Sequence, residues 1–180
     1  FDHLAVGESS IIVVNYSVKD IHGATVAQSA TITITGTNDA PVVGAALTSS
    51  AAEGAGSYSM SLLAGASDVD HNETATLSVT DVTYRLDNSA ASASAPAGIS
   101  LVGSTLTVDP SNSAFNHLAV GAHATVTVSY NVKDAYGAVA PQSATSVAVD
   151  GVRRAPVVRV TAGAQSNATA PAISGHANTK

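Results

Sequence analysis

Ala124-Thr125-Val126-Thr127-Val128-Ser129-Tyr130-Asn131-Val132-Lys133-Asp134 alternates apolar and polar side chains and then stops at an aspartate. A period of two sends alternate side chains to opposite faces of an extended chain, so this stretch reads as a half-buried β-strand. An earlier segment has the same ending. Ser10-Ile11-Ile12-Val13-Val14-Asn15-Tyr16-Ser17-Val18-Lys19-Asp20 is β-branched and aromatic, again a strand composition. The likeness spreads on both sides. Phe1-Asp2-His3-Leu4-Ala5-Val6-Gly7 returns as Phe115-Asn116-His117-Leu118-Ala119-Val120-Gly121, a spacing of 114. Gly23 returns as Gly137, and Gln28-Ser29-Ala30-Thr31 as Gln142-Ser143-Ala144-Thr145, at that same spacing. Ala40-Pro41-Val42-Val43 returns as Ala155-Pro156-Val157-Val158 at 115, so one residue is inserted in between.

Self-similarity at a fixed period is the signature of a repeat architecture. One complete unit is expected over residues 44–158. Residues 1–43 are then the closing part, the last two strands, of a preceding unit that is truncated at its N-terminal side. Residues 159–180 are Ala/Ser/Asn/Gly-rich without alternation and are expected to be a disordered, low-complexity tail.

Within the unit, Ser57 to Leu63, Ala75 to Leu86, Ile99 to Val102 and Thr105 to Val108 are further strand candidates, the last two separated by the turn pair Gly103-Ser104. Ala30-Thr31-Ile32-Thr33-Ile34-Thr35 alternates strictly, and Asp20-Ile21-His22-Gly23 and Asp134-Ala135-Tyr136-Gly137 have the look of hairpin loops. Ser89 to Gly98 reads as a low-complexity loop. The fold class is therefore all-β. About seven short strands per unit point to a β-sandwich of immunoglobulin or cadherin type, in tandem repeats. The strands of residues 1–43 have one apolar face with no partner sheet of their own; it is either left bare or docked on the complete unit.

Composition narrows the function. Hydrophobic residues make up 45% of the 180-residue chain but aromatics only 4%, so the core is built of small side chains. Lys and Arg total 7 against a net charge of −6, and they adjoin only at Arg153-Arg154. Nucleic acid as a partner is thereby excluded, since it needs a basic surface to neutralise phosphates. With no cysteine, no disulfide supplies stability. No apolar run reaches the ~20 residues of a membrane-spanning helix, so membrane insertion is not expected. The first residues show no signal peptide, but they begin inside the repeated pattern and carry no information about export.

The run Phe-x-His-Leu-Ala-Val-Gly, the strand ending Tyr-x-Val-Lys-Asp, and Ile34-Thr35-Gly36-Thr37-Asn38-Asp39-Ala40-Pro41-Val42 together resemble the VCBS repeat over residues 1–158. These repeats are cadherin-like or immunoglobulin-like domains of very large bacterial RTX-type surface adhesins. The resemblance implies export to the cell surface or the extracellular space, often by a type I route. It also implies a stalk or adhesin role in cell adhesion and biofilm formation, neighbouring repeats as partners, and calcium at the joints between repeats.

Calcium takes six to eight oxygens at about 2.3–2.6 Å. Asp68, Asp70 and Asn72 stand at alternate positions, which a turn brings to one side. An EF-hand is excluded, because Glu73 occupies its glycine position and Val79 its final acidic one. A cadherin-like Asp-x-Asp site matches better. Asn38 and Asp39 resemble a cadherin linker, with Pro41 stiffening the exit. Asp20 and Asp134 end strands just before loops, and such an aspartate reaches the joint in cadherin-like domains. Glu53 is a further partner by the same resemblance. The expected ligand set is Asn38, Asp39, Glu53, Asp68, Asp70 and Asp134, gathered where residues 1–43 meet the complete unit. Asp and Asn also cap turns through their own backbone, and that reading stands beside the first. At the second junction Arg153-Arg154 replaces Asn38-Asp39, so that joint is expected to be free of metal.

His3 and His117 share one repeat position and read as turn or packing residues. The sequence has no His-Glu-x-x-His, Gly-x-Ser-x-Gly or phosphate-cradling glycine loop, so no enzymatic activity is expected. The alternative function is binding of an exopolysaccharide or host glycan through loops bearing Tyr58, Tyr84 or Tyr136, a reading weakened by the scarcity of aromatic residues.

Overall fold

The computed structural model describes residues 1–153, with the side chains of 143–146 set aside. The proposed tail at 159–180, the end of the unit at Val158, and Arg154-Ala155-Pro156 of the second junction lie outside the described residues. Nearly all the regular structure described is β. Nine strands occur in chain order: β1 (Ser9–Lys19), β2 (Thr25–Thr35), β3 (Thr48–Ala52), β4 (Tyr58–Ser61), β5 (Ser78–Leu86), β6 (Ile99–Val102), β7 (Thr105–Val108), β8 (His123–Lys133) and β9 (Val139–Asp150). Single 3-10 turns at Glu73–Thr76 and Ser113–Phe115 are the only helical pieces among the described residues, and no helix there is long and apolar enough to cross a membrane.

Three sheets result: β1-β2, β3-β9-β8-β5 and β4-β7-β6. The last two pack face to face as a β-sandwich. Alternation along β8 makes its inner face, so Val126, Val128, Tyr130 and Val132 are buried, and they meet Leu62, Leu106 and Val108 in one core. Tyr130 brings a hydroxyl into that core, and its O–H donates to the Leu62 carbonyl at 2.7 Å. A buried hydroxyl left unpaired would cost about 1–3 kcal/mol.

Residues 44–150 thus hold the expected seven strands. β6 and β7 fall where the sequence placed them. β5 begins at Ser78 rather than Ala75, because Glu73–Thr76 closes into a 3-10 turn first. β3 adds a strand that the sequence did not announce; it lies parallel to the end of β9, Thr48 opposite Ser146 and Ala52 opposite Asp150. The loop after β5 is tied down by a bridge between Tyr84 and Ser92.

The β1-β2 hairpin forms as expected but is a sheet of two strands only. It does not lie over the sandwich. Its register is regular from Ser9↔Thr35 to Lys19↔Thr25. β8-β9 differs in one respect: Val128 faces Thr145 while Tyr130 faces Gln142, so β9 carries one extra residue there. That β-bulge is where the one-residue insertion goes. It keeps Val147 and Val149 facing inward, at the positions that Ile32 and Ile34 hold in β2.

The two hairpins close in the same way. The Asp20 and Asp134 amides bond the Ala24 and Ala138 carbonyls. Gly36 and Gly151 sit against the preceding loop so closely that a Cβ would lie 2.2 Å from the Leu4 and Ala119 carbonyl oxygens respectively. No other residue fits there without moving backbone.

Candidate metal site

The residues between β4 and β5 build the site. Val42 and Ser67 exchange backbone hydrogen bonds at 2.8 and 2.9 Å, which pins the linker after β2 to this loop. The Asp68 amide donates to Thr74 Oγ1 at 2.8 Å, and the Thr74 hydroxyl returns to the Asp68 carbonyl at 3.1 Å. Asp68 Oδ1 accepts the Asp70 amide at 3.0 Å, an Asx turn. Asn72 then adopts φ 66°, a left-handed conformation that asparagine tolerates better than most residues, and turns the chain back. One carboxylate oxygen each from Asp68, Asp70 and Glu73 consequently lie within 4.8 Å of one another, an arrangement that can hold a metal ion.

The linker and the β8-β9 turn close over this group. The Asp39 amide donates to Asp70 Oδ2 at 2.8 Å. Asn38 Nδ2 donates to Asp134 Oδ2 at 2.9 Å and to the Asp39 carbonyl at 2.8 Å. Asp134 Oδ1 meanwhile accepts the amides of Tyr136, Gly137 and Ala138. A second contact crosses the same joint. The His71 amide donates to the His3 carbonyl at 3.1 Å, and the His71 ring bonds Glu8 at 3.0 Å.

Several of these oxygens are left without a partner. Asn38 Oδ1, Asp68 Oδ2, Asp70 Oδ1 and both Glu73 carboxylate oxygens are buried and make no hydrogen bond among the described residues. Asp70 and Glu73 are only 2% and 5% exposed. No salt bridge reaches Asp68, Asp70 or Glu73 among the described residues. Burial, and then repulsion from Asp70, Asp68 and Asp134, pushes the Glu73 carboxyl above the usual glutamate range. Asp134 goes the other way. Its burial acts upward, but the hydrogen bonds from Asn38 and from the Gly137, Ala138 and Tyr136 amides outweigh it, and its carboxyl is held low. Buried carboxylates facing one another are costly unless a cation lies among them. The donors are all hard oxygens, the set that suits calcium or magnesium rather than zinc or copper.

Of the sequence-derived ligand set, Asp68 and Asp70 fall within the acidic group, Asn38 and Asp134 are hydrogen-bonded to each other beside it, and Asp39 meets it through its backbone amide. Glu53 lies apart. Its amide bonds the Asp150 carbonyl, at the end of β9 that pairs with His123. Asp134 follows the opposite end of β8, roughly 33 Å away at the rise of a strand. Because β3 runs parallel to β9, it carries Glu53 away from the joint. Glu73 takes part instead, three residues beyond Asp70 on the one turn of 3-10 helix. The sequence reading weighed Glu73 only as a misfit to an EF-hand; the signal for it was an acid one helical turn beyond the Asp-x-Asp pair. Asp20 caps its own turn, accepting the His22 and Ala24 amides at 2.9 and 2.8 Å. It has no counterpart of Asn38 upon it among the described residues.

No protein-family model and no curated protein matches the chain. The class that fold and site define is thus an all-β protein of several sheets with an acidic, metal-competent joint between a hairpin and a sandwich.

Proposed function

We propose that the chain is a stretch of tandem VCBS-like, cadherin-like repeats in a secreted or cell-surface bacterial adhesin, and that calcium stiffens the joint between residues 1–43 and the unit beginning at residue 44. The observation that supports this is the set of buried, unpartnered oxygens on Asn38, Asp68, Asp70 and Glu73 at that joint.

Asp68, Asp70 and Glu73 are the residues that would hold the ion, with Asn38 and Asp134 beside them. The ion would supply positive charge to a buried group of carboxylates. The protein's part is positional. The Asp39 amide on Asp70, and the Asn38 amide on Asp134, tie the linker to the loop and to the β8-β9 turn. Ordering the acidic loop thereby orders the hairpin relative to the sandwich. Such a joint turns a flexible string of units into a stiffer stalk, which is the mechanical work of an adhesin.

Thermal melts in chelator and in millimolar calcium test the proposal. Calcium at about 100 times its Kd adds about 2.7 kcal/mol of stability, a shift of several degrees for a domain of this size. A melting temperature that neither calcium nor chelator moves sinks it.

A further inference from the structure

The even-numbered face of β1-β2 is apolar almost throughout. Its cross-strand pairs are Ser10↔Ile34, Ile12↔Ile32, Val14↔Ala30, Tyr16↔Gln28 and Val18↔Val26. The opposite face is mixed: Ile11 and Val13 lie there opposite Thr33 and Thr31, beside Asn15 and Ser29. Tyr16 is 48% exposed and Val18 56%, whereas Tyr130 and Val132, their counterparts in β8, are 3% and 1% exposed. We infer that this face is a docking surface for the front half of a unit like residues 44–114, joined ahead of the hairpin and presenting a sheet of the β4-β7-β6 kind. The inference rests on the repeat-array reading and adds to it the occupant and its contacts.

The polar residues on the face specify more than an apolar surface. Tyr130 bonds the Leu62 carbonyl, and Gln142 reaches the Gly44 and Ala45 carbonyls, both at 3.5 Å. Tyr16 and Gln28 carry the same groups at the same positions. The occupant must therefore offer backbone carbonyls where Leu62 and Gly44-Ala45 offer theirs. The strand edges make the same demand. β8 pairs outward with β5 and β9 with β3, both from residues 44–114, while β1 and β2 have no such neighbour among the described residues. Phe115 packs with Ala124, Val149 and Leu118, and Gly98 of the front half lies close against its ring. A second hairpin stacked face to face presents strand side chains in place of the loop carbonyls that Leu62 and Gly44-Ala45 supply.

The test is a chain in which residues 44–114 are repeated directly ahead of Phe1. Hydrogen exchange in β1-β2 should slow by roughly two orders of magnitude relative to the unextended chain, and binding of a hydrophobic dye should fall. Leu62→Asp with Leu106→Asp, made only in the added copy, should restore fast exchange. A hairpin that exchanges equally fast in the extended chain, while β8-β9 in the same sample stays protected, overturns the inference. So does a dimer of the unextended chain at micromolar concentration whose β1-β2 is already protected, because the occupant is then a second copy. A calcium-dependent melt together with an unprotected hairpin rejects the docking surface and leaves the array reading standing.

Discussion

The β1-β2 and β8-β9 hairpins share their turn, their Tyr-x-Val-Lys-Asp ending and the close-packed glycine after the second strand, yet only β8-β9 lies within a core. Local sequence is enough to set the extended conformation, the Asp-capped turn and the register. Burial depends on what the rest of the chain brings to the face. β8-β9 has Leu62, Leu106 and Val108 across from it and β3 and β5 at its edges; β1-β2 has neither among the described residues.

The largest effect that would break this comparison comes from truncating the paired tyrosines. Tyr130→Ala should cost about 3–5 kcal/mol, a core cavity plus an orphaned Leu62 carbonyl. Tyr16→Ala should stay within about 1 kcal/mol, since Tyr16 supports no core. Denaturant melts of the two variants compare them directly, and equal losses would show that β1-β2 is packed after all. Next in size are the glycines, where the copies should behave alike in kind. Gly151→Ala drives a Cβ into the Ala119 carbonyl and Gly36→Ala into the Leu4 carbonyl. Gly151→Ala should lower the melting temperature of the sandwich, while Gly36→Ala should loosen only residues 1–8 and β2, seen as faster local hydrogen exchange.

A smaller effect sharpens the electrostatics of the joint. Glu73→Gln should raise the melting temperature in chelator by a few degrees, because it removes a buried charge, and should shrink the gain from calcium. The pH dependence has a definite sign. The raised Glu73 carboxyl keeps a proton in the folded chain that the unfolded chain has released. In chelator, stability therefore falls as pH rises from the ordinary glutamate value through the raised one. A melting temperature that rises over that window would contradict the assignment. Smallest is His71→Ala, which removes an exposed pair with Glu8. It should change stability by less than about 1 kcal/mol, measured by denaturant melt.

Much of the fold was legible because the signals were local. The alternation in β8, the Gly103-Ser104 turn and the doubled Asp-capped turns each depend on near neighbours. β3 was not legible, since Thr48-Ser49-Ser50-Ala51-Ala52 is small and polar and is held as a strand by its parallel partner β9. The site divides in the same way. Asp68 and Asp70 could be read from spacing, and the place of Asn38 beside them from the linker it resembles, whereas Asp39 meets them through its backbone amide. Glu53 was misplaced because only topology says which end of the sandwich a residue reaches. Glu73 was missed because its position depends on the left-handed Asn72, and sequence alone does not announce that turn.

The central claim is that the acidic joint holds calcium. Titration calorimetry of calcium into the chelator-stripped chain tests it most directly. The account predicts saturable binding that Asp70→Asn abolishes in a chain whose β8-β9 core still gives a cooperative melt. Absence of binding up to millimolar calcium in the wild-type chain, or binding that Asp70→Asn leaves unchanged, would contradict it.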